Sequence, residues 1–278
     1  MVWAVYDFHN LLAVAGSFWQ HSGRMFSRSL VLLSLLFLAI SARGGLVVTP
    51  AGNVSVEGNR DNAFPFDLAD LDQPSTIRYQ QFYTADAFAG LAPGGEYITQ
   101  ILFRPGAQDG AAFATVLPDI QISLSTSTRG ATDFSMTFDS NVGLDNTVVY
   151  GRGALALSSS FIGPAGGPKT FDILITLTTP FFYNPANGNL LLDIKNFGGG
   201  TTTFFDAQSN NTDAVFRLYS NSPGPNNVNA PTATGFDTIG LVTEFVTVVP
   251  EPASWALILL GGGVIALAGL GRKCSRKV

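Results

Sequence analysis

Residues 171–177 read Phe171-Asp172-Ile173-Leu174-Ile175-Thr176-Leu177. Phe171, Ile173, Ile175 and Leu177 take every second position, so an extended chain puts them on one face. The same period recurs on both sides. Ile120, Ile122 and Leu124 alternate with Gln121, Ser123 and Ser125. Leu190, Leu192 and Ile194 alternate with Leu191, Asp193 and Lys195, and Ala214, Phe216 and Leu218 form a further set. Residues 77–83, 97–104, 147–157 and 239–248 are additional strand candidates. Turn-forming clusters separate the segments, such as Gly163-Pro164-Ala165-Gly166-Gly167-Pro168 and Asn184-Pro185-Ala186-Asn187-Gly188. About ten strands without a helical period predict a mainly β fold of two packed antiparallel sheets, a jelly-roll-like β-sandwich. An immunoglobulin domain fits less well, because its Cys–Trp–Cys core is missing. The polar stretches 57–76 and 221–235 read as surface loops, and Gly198-Gly199-Gly200 as a flexible turn.

The whole chain has 278 residues and a net charge of −5, with only 13% charged residues. Such low charge excludes a disordered polyelectrolyte. The acidic balance argues against nucleic-acid binding, and a single cysteine excludes a disulfide scaffold. Residues 45–249 carry eight Lys+Arg and eighteen Asp+Glu, a balance of −10.

The two ends differ from this body. Leu30–Ile40 is an uncharged apolar run, preceded by Arg24 and Arg28 and followed by Ser41 and Ala42. A basic start, a short apolar run and small residues are the parts of a secretory signal peptide. Met25 would start a signal peptide of ordinary length over 25–44, leaving 1–24 as an upstream extension. At the other end, Ala253–Gly271 holds nineteen residues without a charge. As a helix this stretch would span roughly 28 Å, close to one hydrocarbon core. Trp255 suits a lipid–water boundary, and Arg272, Lys273, Arg276 and Lys277 form a tail that the positive-inside rule holds in the cytoplasm. The expected order is signal peptide 25–44, β domain 45–249 and a terminal segment 250–278.

That terminal segment resembles the PEP-CTERM sorting signal. The match lies in Val249-Pro250-Glu251-Pro252-Ala253, then the apolar stretch 253–271, then the basic tail 272–278. The resemblance implies recognition by exosortase, a membrane enzyme, with cleavage near Pro250, Glu251 and Pro252. It also implies export to the cell surface in an exopolysaccharide or biofilm setting. Pro250 and Pro252 independently disfavour helix in the residues before them, which leaves an extended, accessible segment. The body is similar to domains found ahead of such signals, through 139–145, 180–185 and 188–193, and this likeness implies no activity.

Both histidines, His9 and His21, precede the signal peptide, and Cys274 lies in the tail. The body therefore lacks the residue types of Ser-His-Asp and Cys-His catalysis and of ordinary zinc sites. Three Glu and fifteen Asp remain there, enough only for carboxylate chemistry such as glycoside hydrolysis. Asp139, Asn141 and Asp145 have the alternate spacing of a calcium loop, but Tyr150 takes the place of its terminal acidic ligand. A turn held by Asx hydrogen bonds explains the same spacing. No tryptophan is available in the body as a sugar platform, although six tyrosines and the Phe181-Phe182-Tyr183 cluster are.

These readings predict an exported, non-enzymatic surface or matrix protein without a cofactor. Its expected partners are signal peptidase and the export machinery, exosortase, the membrane and an extracellular polysaccharide, but no nucleic acid. Its expected course is an inner-membrane intermediate facing the periplasm, then the cell surface. A carbohydrate-binding module is the alternative, and a carboxylate-only glycoside hydrolase a more distant one.

Overall fold

The computed structural model describes residues 44–69, 76–213, 215–222 and 226–250. The expected upstream extension, the signal peptide up to Arg43 and the membrane segment 253–271 lie outside them. Among the described residues no helix is long and apolar enough to cross a membrane.

Thirteen strands follow one another among the described residues, joined by turns and short 3-10 helices. They are β1 (Leu46–Thr49), β2 (Arg60–Asn62), β3 (Ile77–Tyr83), β4 (Glu96–Phe103), β5 (Phe113–Ser127), β6 (Thr147–Ser159) and β7 (Ile173–Tyr183). After them come β8 (Asn189–Asn196), β9 (Phe205–Ser209), β10 (Val215–Ser220), β11 (Gly235–Asp237), β12 (Ile239–Leu241) and β13 (Thr243–Val248). Three sheets result, in the orders β1-β13-β4-β7, β11-β10-β3-β8-β5-β6 and β12-β9-β2. Their strand pairs are antiparallel, as the alternating patterns require.

The four- and six-stranded sheets turn apolar faces toward one core. Ile98, Ile101, Phe103, Ile173, Ile175 and Phe245 come from the first, and Ile120, Ile122, Leu124, Leu190, Leu192 and Ile194 from the second. The alternation of Ile173, Ile175 and Leu177 against Leu174 and Thr176 is realised as buried against exposed. Pro180 falls where β7 leaves its register with β4, so its missing N–H breaks no ladder bond. Pro118 likewise sits at an irregularity of β5, before the pairing with β8 begins at Ile120.

Burial of the six-stranded sheet on one face only, as the alternation suggests, is not what forms. All seven residues of β3 are buried, including Arg78, Gln80 and Gln81. Residues 134–142 and 227–233 lie across the outer face and tie to each other. Phe138 N donates to Pro231 O at 3.1 Å and Ala233 N to Met136 O at 2.8 Å. Beneath them Phe82, Phe138, Leu191, Phe216, Leu218 and Ala233 make a second apolar cluster. The stretch 221–235 is therefore a partly buried cover and not a simple surface loop. The stretch 57–76 departs in the same way. It contains β2, and it sends Phe66 and Leu68 into the interior, with Phe66 against Phe103 and Phe205. Gly198-Gly199-Gly200 is a defined turn. Gly199 and Gly200 have positive φ, and a Cβ on Gly200 would lie 2.3 Å from a Leu117 methyl.

Two positions on β5 separate burial from strand formation. Ile122→Ala, in the core, should cost about 2–5 kcal/mol. Val116→Ala, at a residue 61% exposed, should stay within about 0.5 kcal/mol of wild type. Urea unfolding followed by circular dichroism measures both.

Candidate functional site

Two places carry chemistry that packing alone does not use. One is the end at which the chain leaves its last strand. Strand β13 lies between β1 and β4, and its final residue Val248 is opposite Tyr97. Val249 and Pro250 follow, half-buried and outside any strand. The expected motif residues Glu251 and Pro252, and the tail residues Arg272, Lys273, Arg276 and Lys277, lie outside the described residues. Every residue of the described body strands thus precedes Pro250.

The second place is a cluster of carboxylates. Strands β2 and β9 pair with Asp61 directly opposite Asp206, and Glu57 lies just ahead of β2. One oxygen from each of the three falls within 4.8 Å of the others. Like charges so placed repel. Asp206 is completely buried, and Arg104 compensates it. The guanidinium Nε and Nη2 each lie 2.6 Å from Asp206 Oδ2. Gly58 N donates to Asp206 Oδ1 at 2.8 Å. Arg104 also donates to Val56 O at 2.7 Å and sits over the Phe171 ring. Glu57 Oε1 accepts from Ala107 N at 2.6 Å, while its buried Oε2 finds no hydrogen-bond partner among the described residues. Asp61 Oδ2 accepts from Asp109 N at 3.0 Å.

Three carboxylates thus face one guanidinium. Burial, with the Glu57 charge added, pushes the Asp206 carboxyl up to about 7 in spite of Arg104. Burial also raises Glu57 and Asp61. Such a group can hold protons near neutrality. Its oxygens are also of the kind that a hard cation such as calcium takes, although Arg104 already occupies one flank of Asp206.

The calcium candidates named by spacing have other occupations. Asp139 Oδ1 pairs with Arg78 at 2.9 Å. The buried Asn141 carboxamide donates to Gln80 Oε1 and Ser135 O and accepts from Ser135 N. Asp145 Oδ1 accepts from Thr126 N at 2.7 Å. Asn141 and Asp145 line one shallow depression, and Asp139 lines another with Arg78, Asp193 and Lys195. Among the tyrosines, Tyr79, Tyr83 and Tyr183 are wholly buried. Tyr97 is exposed and meets Phe182 edge-on, with ring centroids 5.2 Å apart and planes at 65°. The Phe181-Phe182-Tyr183 cluster accordingly splits, since Phe181 and Tyr183 enter the core and Phe182 does not.

Residues 248–273 match the PEP-CTERM protein-sorting motif. The motif begins at Val248, the last residue of β13, and reaches past the apolar stretch into the basic tail. It implies an exported surface protein sorted by exosortase, by way of a membrane-anchored intermediate. No curated protein and no solved structure matches the chain.

The sorting segment is legible in sequence because its parts are consecutive. The Glu57–Asp61–Asp206 cluster is not, since 148 positions separate Gly58 from its partner Asp206. Only the pairing of two short strands without marked periodicity joins them.

Two changes probe the cluster. Replacing Arg104 by Met strands a buried carboxylate and should cost about 3–5 kcal/mol in urea unfolding. A raised folded-state value means that Asp206 contributes stability below its ordinary 3.8 and loses it as pH rises through about 7. Glu57→Gln removes one of the repelling charges. Its melting temperature should exceed wild type by about 2–4 °C at about pH 8, with the gap closing toward about pH 4.

Proposed function

We propose that this protein is an exported, non-enzymatic component of the cell surface or extracellular matrix, in an exopolysaccharide or biofilm context. Its body is a jelly-roll-like β-sandwich. Residues 25–44 direct it to the export machinery and are removed by signal peptidase. Residues 253–271 then arrest it in the inner membrane with the body on the periplasmic side, and Arg272, Lys273, Arg276 and Lys277 hold the tail in the cytoplasm. Exosortase cuts near Pro250-Glu251-Pro252, and the body moves outward.

The observation that carries this reading is the placement of the sorting motif. It starts where β13 ends, so cleavage at or beyond Pro250 removes no residue of a described strand. The motif shares only Val248 with the described strands. A passive body is favoured by how its polar groups are used. Asp206 is buried against Arg104, Asp193 against Arg78, and the Glu96 carboxylate accepts from Ala92 N. A glycosidase needs two carboxyl groups open to substrate. A carbohydrate-binding module needs a flat aromatic platform, and the exposed Tyr97–Phe182 pair is bent.

Mass spectrometry of the mature C-terminus in producing cells tests the reading. Wild type should end close to residues 250–252. A Pro250→Ala/Pro252→Ala variant, or a strain lacking exosortase, should accumulate membrane-bound precursor several-fold. Recovery from the cell exterior of mature protein that still ends at Val278 would refute it.

A further inference from the structure

The end of the body from which the chain exits has an unusual surface. Val248, Tyr97 and Phe182 are opposite one another on the adjacent strands β13, β4 and β7. Residues in register point to the same side of a sheet. All three are on the solvent side, with exposures of 38%, 38% and 41%. Leu46 is exposed on the neighbouring strand β1 at the same end, where β1 begins beside Val246. Leu144 is fully exposed beside a depression shared with Asn187, which belongs to the connector leaving β7.

Charge at this end lies mostly in the connectors of the six-stranded sheet, which carry Arg129, Asp133, Asp139, Asp145 and Asp213. The two connectors between the sheets at this end are residues 84–95 and 184–188, and Asp86 is their one charged residue. Glu96, which follows the first connector, is buried.

The tether is also short. Five residues lead from Val248 to Ala253, where the uncharged stretch starts, and they reach about 18 Å at most when extended. Pro250 and Pro252 stiffen this link. If residues 253–271 enter a bilayer, this end of the body must face it.

We propose that the exit end rests on the lipid surface while the protein is anchored, with Tyr97, Phe182 and Val248 seated among the headgroups. This rests on the reading of 253–271 as membrane-embedded. Tyrosine rings favour the lipid–water boundary, where an apolar body and a polar tip are both satisfied. Apolar side chains gain by leaving water there. A bilayer surface tolerates the bent ring pair, because it has no fixed shape to match. The contact would orient the body and hold Pro250-Glu251-Pro252 at membrane level, where an integral-membrane processing enzyme acts.

The test uses the full chain carrying Cys274→Ser, reconstituted in phosphatidylcholine vesicles with single spin labels. Labels go to Tyr97→Cys, Phe182→Cys, Val116→Cys at the far end of β5, and Leu259→Cys within the uncharged stretch. Power-saturation electron spin resonance compares accessibility to oxygen, which partitions into lipid, with that to a water-soluble nickel chelate. The oxygen-to-nickel ratio at 97 and 182 should rise several-fold over that at 116. Leu46→Cys reports the same end should either aromatic replacement disturb folding, which circular dichroism checks. A lipid-exposed 259 with 97, 182 and 46 as water-exposed as 116 overturns the proposal and leaves the anchored reading standing. A water-exposed 259 overturns both.

Discussion

A guanidinium cannot be buried without an anion beside it, and three of the six arginines in the body are buried. Arg78 meets Asp193 and Asp139, Arg104 meets Asp206, and Arg217 meets Asp237. The first two sit at joints between layers, and Arg217 and Asp237 are opposite each other on β10 and β11 of the six-stranded sheet. Arg78 and Asp193 are neighbours on β3 and β8, and Gln80 bridges from Asp193 to Phe138 O and Asn141. That network fastens the cover over residues 134–142 to the six-stranded sheet. Arg104 fastens the three-stranded sheet to β4 and to the segment around Val56. The layers depend on these joints because apolar burial has no direction, while a charge-assisted hydrogen bond fixes one partner and one geometry.

The same arrangement shapes the surface. Buried arginines neutralise some aspartates inside, and most of the remaining acidic groups face water. A net negative body stays soluble and resists association, as suits a protein carried outside the cell. The Glu57–Asp61–Asp206 cluster is the exception, with more carboxylates than its one guanidinium can balance. Its excess charge is a cost of joining β2 to β9 at this register, and it makes that corner responsive to pH.

The exit of the chain links this architecture to sorting. Because β13 is an interior strand of its sheet, its end is held on both sides, by β1 and β4. The segment beyond it departs from a rigid point. The folded body needs nothing from the residues beyond Pro250 to complete its described strands.

The amino-acid sequence by itself determined the strands with clean period-two patterning, notably β5, β7, β8 and β10, because alternation depends only on neighbouring positions. It also determined the sorting segment, whose prolines, uncharged run and basic tail are contiguous. Tertiary structure alone decided which strands are buried twice. Ser123, Ser125 and Gln80 look solvent-facing by alternation, yet residues 134–142 and 227–233 fold over them. It alone placed β2, β9 and β11, which are too short to show a period, and so created the Asp61–Asp206 juxtaposition. It also turned Asp139, Asn141 and Asp145, whose spacing suggests a calcium loop, into fasteners of that cover. The physical reason is the same in each case. Local pattern reports which side of a strand avoids water, whereas partners far apart in the chain meet only through the pairing and layering of the whole sheet.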